Sequence, residues 1–410
     1  MMPSDPNGGV CLIRRVVIRN YKSIAACDVE LGPLTFLVGP NGSGKSNFLD
    51  ALAFVGDALR NSLDHAIRFR GGLVNVLRRS FPTVPDFGIR VEFQFPSGTY
   101  GYLAFSVGTE ANGFVVDHEE CFVSYRFLDR VEDTHFYQVS QGSVVASSLA
   151  MEPAALADRL YLINVSGTPA FRPVYDVLSA MGFYSLNPDA MRDLQPPHPG
   201  EILARDGANL PSILARLSAN VPALKSRIEE YLAQVVPGIS EVGTITLGSR
   251  ETIGVWQEVG GMGEAFQASS LSDGTLRALG ILTALFQGSD ADRGPLLVGI
   301  EEPETALHPA ATAVLIDAMR DAVSMRQVLV TSHSPELLDN PLIGDSEILA
   351  VVTEDSTTRI GHLDEAGRSV LRDHLFTAGD LLRMNQLRPD PSAQSLTPDD
   401  VVLFGTGAPA

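Results

Sequence analysis

The sequence contains a glycine-rich loop of the kind that wraps phosphate groups. Residues 39–46 read GPNGSGKS, after an apolar run, LTFLVG, that predicts a buried strand, and at the start of a helix predicted over 44–60. Glycines let backbone N–H groups approach phosphates at a helix N-terminus. Lys45 is predicted to contact the phosphates, and Ser46 to give its hydroxyl to Mg²⁺. The residues predicted to bind a nucleotide here are Gly39, Pro40, Asn41, Gly42, Ser43, Gly44, Lys45 and Ser46.

A second apolar run ends in two adjacent glutamates. Residues 296–302 read LLVGIEE, and carboxylates at the mouth of a buried strand need a compensating charge. Taken alone, this is a strand that ends in solvated acids; opposite a phosphate-binding loop it is the Walker B arrangement. Glu301 is then predicted to bind Mg²⁺ through water, and Glu302 to orient or deprotonate the attacking water. The two motifs together predict a site for ATP and Mg²⁺.

A further segment resembles the signature sequence of ABC-type ATPases. SSLSDGTLRALG (269–280) retains Ser272 and Gly274 of that signature, whereas Asp273 and Thr275 depart from it. Viewed alone, the segment reads as an ordinary helix N-cap. In the ABC architecture this anion cradle serves the nucleotide of a partner subunit. The resemblance therefore implies a homodimer that forms when ATP binds, with Ser272 and Gly274 as nucleotide-binding residues.

Another apolar strand ends at a histidine. VLVTSHSPELLD (328–339) resembles the segment whose imidazole hydrogen-bonds the γ-phosphate, so His333 is predicted to be catalytic, although a histidine after a strand is commonly structural. Between the two strands, PETALHP (303–309) occupies the place of the D-loop. His308 stands where many ABC proteins have aspartate, and this departure gives no support to a catalytic role for His308.

These segments are similar to a known group of proteins. With IRNYKSI (18–24) near the start and DGANLPSILARL (206–217) in the middle, they resemble ABC-type ATPases of the RecF/SMC-like group, in particular the OLD-like "AAA family ATPase" proteins of bacteria. The resemblance covers residues 11–388. It implies an α/β fold, a P-loop NTPase in the form of an ABC-ATPase head with a β-rich N-terminal lobe and a helical insertion.

The order of predicted elements agrees with that fold. The P-loop and β-rich lobe is expected in 11–145, the helical insertion in 150–235, the signature and Walker B lobe in 240–388, and a flexible tail in 389–410. The N-terminal stretch 11–24 predicts an edge strand, several short strands are predicted between 87 and 141, and helical periodicity covers 153–182, 200–217 and 222–235. The remaining predicted elements are strands 241–246 and 252–258, helix 273–287, strand 296–300, helix 309–322 and strand 327–331.

Composition narrows the class of protein. The chain has 410 residues, is 45% hydrophobic and carries a formal net charge of −19, which predicts a large core and disfavours nonspecific coating of nucleic acid. No apolar run reaches the roughly 18 to 20 residues of a membrane span, and no signal peptide is evident. The cysteines, Cys11, Cys27 and Cys121, are scattered, which fits a reducing compartment. We expect a cytoplasmic protein without a membrane partner.

Several residues are weaker candidates. Gln94 could be a Q-loop glutamine but also fits the solvent face of a strand, and Lys22 could reach the phosphates. DHEEC (117–121) has residue types that bind metals but lacks metal-ligand spacing. The basic stretch 60–80 could contact DNA or be a solvated surface. Its arginines are Arg60, Arg68, Arg70, Arg78 and Arg79.

Three functions compete at this stage. The first is an ATP-driven, DNA-associated switch in DNA repair or defence against phage, acting with a separately encoded effector. The second is a nuclease-ATPase like OLD proteins, but only 77 residues follow His333, without an Asp-x-Asp pair among them. The third is the nucleotide-binding subunit of a transporter, against which the IRNYKSI start and the long insertion argue. The first is our prediction.

Overall fold

A mixed sheet of 13 strands runs through the protein. The computed structural model describes residues 10, 12–80, 83–110, 113–127, 130–198, 202–259, 262–288 and 294–405. The strands are β1 (Ile13–Tyr21), β2 (Ile24–Glu30), β3 (Leu34–Val38), β4 (Asp86–Gln94), β5 (Thr99–Glu110), β6 (Gly113–Phe127), β7 (Arg130–Ser140), β8 (Ser143–Ser147), β9 (Gly182–Tyr184), β10 (Ile239–Leu247), β11 (Arg250–Val259), β12 (Met262–Gln267), β13 (Leu297–Glu301), β14 (Gln327–Ser332), β15 (Ile348–Glu354) and β16 (Thr357–His362).

Helices connect and cover these strands. They are α1 (Lys45–Arg60), α2 (Leu63–Phe69), α3 (Leu73–Val76), α4 (Tyr161–Val165), α5 (Arg172–Ser179), α6 (Pro188–Arg192), α7 (Leu210–Asn220), α8 (Pro222–Val235), α9 (Asp273–Phe286), α10 (Pro309–Ala322), α11 (Pro335–Leu338), α12 (Glu365–Arg372), α13 (Ala378–Arg383) and α14 (Pro391–Ser395). No helix in the described part of the chain combines the length and the apolar character that crossing a bilayer requires.

Five parallel strands, in the order β15-β3-β14-β13-β9, form the half of the sheet that positions the site. Every residue of β3 and of β14 is buried, as expected for strands covered on both faces. Because β14 pairs with both neighbours, Ser332 lies beside Val38, and Thr331 lies beside Glu301. The predicted phosphate loop, the Walker B glutamates and His333 therefore lie at the same edge of the sheet, where these parallel strands end.

The two faces of this half-sheet belong to different apolar clusters. Leu37 of β3 packs in a cluster with Phe48 and Leu52 of α1. Its neighbours Phe36 and Val38 pack in a second cluster, with residues of α9 and α10. Alternate side chains of one strand thus face opposite layers, so α1 lies on one side of the sheet and the signature helix α9 on the other.

The antiparallel half of the sheet corrects the prediction of an edge strand at the N-terminus. The order β8-β7-β6-β5-β4-β1-β2 places β1 inside the sheet, hydrogen-bonded to β2 and to β4. Alternating hydrophobicity cannot distinguish an edge strand from an inner one, because the pattern reports faces and not neighbours. Gln327 further ties the start of β1 to β14, since its side chain accepts from the amides of Leu12 and Ile13 and donates to the carbonyl of Ile13.

The helical insertion predicted for 150–235 is only partly helical. The helix predicted over 153–182 is wrong: it is replaced by the short helices α4 and α5, and β9 then adds a strand parallel to β13. Of the helix predicted over 200–217, residues 200–201 lie outside the described part, and α7 begins only at Leu210. The helix predicted over 222–235 is confirmed as α8. A three-stranded sheet, β10-β11-β12, follows.

The C-terminal segment is packed where a flexible tail was predicted. Val401 and Leu403 are buried against Val17 and Ala26, and α14 precedes them. The Pro- and Ser-rich composition predicted the tail because it disfavours a core of its own, but these two apolar residues use the core that β1 and β2 already provide. Residues 406–410 lie outside the described part.

Candidate nucleotide-binding site

The loop between β3 and α1 needs its glycines for two separate reasons. Gly42 and Gly44 have φ angles of 78° and 104°, a left-handed conformation that glycine adopts without strain. At Gly39 a Cβ atom would lie 1.9 Å from the Val351 carbonyl oxygen, and at Gly44 it would lie 2.2 Å from Oγ1 of Thr358. The loop thus lies directly against β15 and β16, with no room for a side chain at Gly39 or Gly44.

Lys45 is the first residue of α1 and points back into the loop. Its Nζ donates to the carbonyl oxygens of Gly39 at 2.9 Å and Pro40 at 3.0 Å, and the residue is buried. Burial lowers the pKa of Lys45, although the charges of Glu302 and Glu304 oppose this shift. A buried ammonium that donates to carbonyl oxygens can exchange them for phosphate oxygens, which are stronger partners.

The loop and Glu302 enclose a cavity of about 170 Å³. Lys45 lies on this cavity with Ser46, which is exposed. An ammonium, a hydroxyl and a carboxylate that converge at a helix N-terminus fit a nucleotide phosphate chain with Mg²⁺. The lining residues are Asn41, Gly42, Gly44, Lys45, Ser46, Asn47 and Glu302.

The two Walker B glutamates have different surroundings. Glu302 lines the cavity and has a φ of 45°, which is unusual for a residue with a side chain. Its amide donates to the Thr331 carbonyl at 3.0 Å, so β14 holds it in this conformation. Oε1 of Glu301 instead accepts from Nη2 of Arg205 at 3.0 Å. The predicted role of Glu301 at Mg²⁺ therefore stays a prediction, and in this structure an arginine neutralises its carboxylate.

His333 follows β14 and faces two acids. Its Nδ1 lies 3.1 Å from Oε1 of Glu302 and 3.9 Å from Oε1 of Glu304. The same Glu304 oxygen accepts from Oγ of Ser332 at 2.7 Å and from the His333 amide at 3.3 Å, whereas Oε2 of Glu304 is buried without a hydrogen-bond partner. The structure thus places His333 beside Glu302, and their predicted catalytic roles stay predictions. The sequence analysis did not single out Glu304, although it is the fourth residue of the EEPE sequence at 301–304.

The signature segment caps α9. Oγ of Ser272 accepts from the Thr275 amide at 3.1 Å, as an ordinary N-cap does. A Cβ atom at Gly274 would lie 2.7 Å from the carbonyl oxygen of Ala306, so Gly274 lets the D-loop approach. Ser272 is exposed, and neither Ser272 nor Gly274 is among the residues that line the phosphate cavity. Their predicted role toward a partner's nucleotide stays a prediction.

Asp50, on α1, is the centre of a charge cluster that sequence reasoning missed. It accepts from Nζ of Lys22 at 2.5 Å, from Nε of Arg70 at 2.9 Å and from the hydroxyl of Tyr21 at 2.7 Å. Burial opposes ionisation of Asp50, but the charges of Arg70 and Lys22 outweigh it and lower its pKa. Lys22 and Arg70, candidates for phosphate and DNA contact, are thus both paired inside the protein.

The other weak candidates have structural contacts. Gln94 pairs with Tyr100 beside the turn between β4 and β5, away from the residues lining the phosphate cavity. Nδ1 of His308 accepts from the Ala310 amide and caps α10. In DHEEC, Glu119 is fully buried among hydrogen-bond donors. Among the described residues, no group of three or more His, Cys, Asp or Glu side chains could hold a metal.

Two of the three cysteines lie in the described part of the chain. Cys27 and Cys121 are buried and free, and burial raises the pKa of both thiols. Cys11 lies outside the described residues.

The fold and the site together define an ABC-type P-loop ATPase of the RecF/SMC/OLD-like kind. The sequence profile of the family described as "AAA domain, putative AbiEii toxin, Type IV TA system" matches residues 34–139 and 176–339. The chain belongs to this family. The two matched ranges contain the phosphate loop, the signature, both Walker B glutamates and His333.

Similar proteins match shorter stretches. The chain is 44% identical over 45 residues to the DNA replication and repair protein RecF of Vibrio vulnificus (strain YJ016), covering 11% of this chain and 12% of RecF. It is 33% identical over 113 residues to the OLD nuclease of Thermus scotoductus, covering 26% of this chain and 20% of the nuclease. The chain therefore spans a fifth or less of these two relatives.

A solved structure matches over nearly the whole chain. It is an Smc head domain with an extended coiled coil, bound to the C-terminal domain of ScpA and derived from Pyrococcus furiosus. The TM-score is 0.52 at 12% identity, covering 89% of this chain and 99% of that chain. At this identity the likeness concerns the fold, and it confirms the predicted ABC-ATPase head.

Proposed function

We propose that this protein binds ATP with Mg²⁺, hydrolyses it, and uses the cycle of binding and hydrolysis as a switch. The observation that carries the proposal is the cavity on which Lys45, Ser46 and Glu302 converge. His333, 3.1 Å from Glu302, supports hydrolysis as well as binding, because binding alone requires no imidazole beside the acid.

Each residue has a defined part in the proposed reaction. Lys45 would leave the Gly39 and Pro40 carbonyls and bind the β- and γ-phosphates. Glu302 would orient the attacking water and accept its proton, and His333 would hydrogen-bond the γ-phosphate from beside that carboxylate. Ser46 and Glu301 would hold Mg²⁺. Bound Mg²⁺ would neutralise charge that develops on the phosphate oxygens.

We further propose that two chains enclose two nucleotides. Ser272 and Gly274 lie at an exposed helix N-terminus outside the cavity of their own chain, and a helix N-terminus binds anions. One chain would thus complete the site of the other, and hydrolysis would reopen the dimer.

The similarity to RecF supports association with DNA and a role in repair. We propose that the switch acts in the cytoplasm, with a separately encoded effector, either in DNA repair or in defence against phage. The match to the OLD nuclease keeps a nuclease-ATPase as the alternative.

Two substitutions test the nucleotide site. Lys45→Ala should weaken ATP binding by about 10- to 100-fold, because the charge nearest the phosphates is lost. Glu302→Gln should retain ATP binding and lower the hydrolysis rate by about 100-fold or more, because an amide cannot accept the proton. Lys225→Ala, on α8, removes a lysine that pairs with Glu229 and serves as the control. Binding of a fluorescent ATP analogue and release of phosphate provide the measurements. Hydrolysis at the wild-type rate by Glu302→Gln would remove Glu302 from the mechanism.

A further inference from the structure

The segment between β9 and α7 contains the DGANL sequence, to which the proposed reaction assigns no part. Its residues build a tight turn. Gly207 has a φ of 82°, and a Cβ atom there would lie 2.9 Å from Cγ of Met191. The Asn209 side chain accepts from the Ala204 amide at 2.7 Å and donates to the Ile202 carbonyl at 3.0 Å. The sequence therefore specifies the path of the backbone around Arg205.

Two hydrogen bonds connect this turn to elements that surround the site. The carbonyl of Arg205 accepts from the Ser185 amide at 2.9 Å, directly after β9, which pairs with the Walker B strand β13. The amide of Leu203 donates to Oε1 of Gln287 at 2.7 Å, and Gln287 follows the last residue of the signature helix α9. The backbone of Arg205 is thus fixed relative to Glu301.

The guanidinium of Arg205 lies between two acids. Nη2 lies 3.0 Å from Oε1 of Glu301, and Nη1 lies 4.0 Å from Oδ1 of Asp50. Asp50 already has Lys22 and Arg70 as closer cationic partners, so its charge is satisfied without Arg205. In the described part of the chain, Arg205 is the cationic residue that pairs with Glu301. The Arg205 side chain is 38% exposed, and a guanidinium this accessible can leave its partner without breaking a core.

We propose that Arg205 is a positioning residue that competes with Mg²⁺ for the carboxylate of Glu301 and thereby sets the Mg²⁺ concentration at which nucleotide binds. The proposal rests on the proposed function of this site. In the nucleotide-free protein, Arg205 supplies the positive charge that a carboxylate at a strand end requires. Mg²⁺ must then compete with that charge, and the DGANL turn keeps Arg205 within reach of Glu301 so that the pair reforms when the metal leaves.

Equilibrium binding of a fluorescent non-hydrolysable ATP analogue, titrated with Mg²⁺, tests this directly. In Arg205→Gln the Mg²⁺ concentration for half-maximal binding should fall by at least about threefold, because a competing positive charge is gone. Arg205→Lys retains the charge and should stay near the wild-type value. Arg60→Gln is the matched control. Arg60 and Arg205 both line a second cavity, separate from the phosphate cavity, but the Arg60 guanidinium donates to the carbonyls of Ser179 and Met181.

A double-mutant cycle shows whether Arg205 acts through Glu301. In a Glu301→Gln background, Arg205→Gln should no longer change the Mg²⁺ dependence. Binding measured in EDTA should be equal in wild type and Arg205→Gln; weaker binding there would mean that Arg205 contacts the phosphates, and would overturn the proposal. An unchanged or increased Mg²⁺ requirement in Arg205→Gln would overturn it too. Failure of the wild-type protein to bind the analogue at any Mg²⁺ concentration would instead overturn the proposed function, and this inference with it.

Discussion

Two regions of the same sheet contain acidic side chains, and the regions differ in how far the hydrogen bonds of those acids are satisfied. In the antiparallel half, Glu119 is fully buried and accepts from the hydroxyl of Tyr137, the amide of Leu162 and the amide of Tyr161. In the parallel half, Glu302 faces a cavity, and Glu304 retains a buried oxygen without a partner. Satisfied acids hold elements together, whereas acids left partly unsatisfied are available for a ligand.

The largest effect of a substitution is expected in the parallel half of the sheet, where the proposed nucleotide site needs a second chain. Glu302→Gln should accumulate as an ATP-dependent dimer on size exclusion with light scattering, and adding Ser272→Arg should abolish that dimer. The bulky cation would occupy the cradle for the partner's γ-phosphate without touching the phosphate loop of its own chain. This loss is expected if, as proposed, a nucleotide and a partner chain complete the site formed by the acids of the parallel half.

Two controls separate this clash from other effects. Ser392→Arg, at an exposed serine on α14, should leave the dimer intact. Ser272→Ala removes the N-cap bond without adding bulk, which costs α9 about 1 kcal/mol. Should the dimer persist in Glu302→Gln/Ser272→Arg, the signature segment would be a helix cap and nothing more.

The satisfied acid should show the reverse behaviour, with an effect on stability and none on nucleotide binding. Glu119→Gln places an amide NH₂ against a backbone N–H that the carboxylate now accepts from, and should lower the free energy of unfolding by about 1 to 3 kcal/mol. Urea unfolding monitors the change. Asp64→Asn, which breaks an exposed pair with Arg68, should change it by less than about 0.5 kcal/mol. Equal effects of the two substitutions would contradict a structural role for Glu119.

The pH dependence of that difference has a predicted sign. Burial raises the pKa of Glu119 from 4.5 to about 7, even though hydrogen bonds from Tyr137, Tyr161 and Leu162 oppose the shift. The folded state then holds a proton that the unfolded state releases, so the stability due to Glu119 is complete below about pH 4.5 and declines as the pH rises to about 7. The advantage of wild type over Glu119→Gln should shrink from pH 5 to pH 8. An advantage that does not shrink over this range would mean that the three donors keep Glu119 ionised.

Residues that directly follow apolar strands were predictable from the sequence, whereas contacts between distant segments were not. The phosphate loop, both Walker B glutamates and His333 were found because each follows an apolar strand directly, and parallel strands bring such positions to one edge. Arg205 was missed because it reaches Glu301 from 96 positions away in the chain, through a turn whose irregular backbone was assigned to a helix. Asp50 lay inside a correctly predicted helix, and its partners Lys22 and Arg70 come from elements that periodicity does not place in contact. The packed Val401 and Leu403 show the same limit, since composition describes a segment and not the surface that receives it.

The smallest expected effect concerns DNA. Of the five arginines in 60–80, Arg70 has a side chain only 3% exposed and pairs with Asp50 and Asp57, so it cannot be part of a DNA surface. Arg68 and Arg79 are exposed, and so is Phe69, whose ring stacks on that of His65. We expect modest, salt-sensitive DNA binding and no cleavage by the pure protein with Mg²⁺ or Mn²⁺.

Salt dependence makes this last expectation quantitative. A few phosphate contacts should give a slope of about −3 to −5 for log affinity against log salt, and replacing Arg68, Arg78 and Arg79 with glutamine should reduce its magnitude by about 2 to 3. The same replacement at Arg159, Arg172 and Arg227, exposed arginines elsewhere, removes equal charge from other surfaces and should change the slope by less than about 1. If both triple variants change the slope equally, net charge and not this stretch governs the binding. A DNA-cleaving activity that co-purifies with the chain through every column would favour the nuclease alternative. The protein would then contain acids that bind a catalytic metal in addition to those of the parallel half.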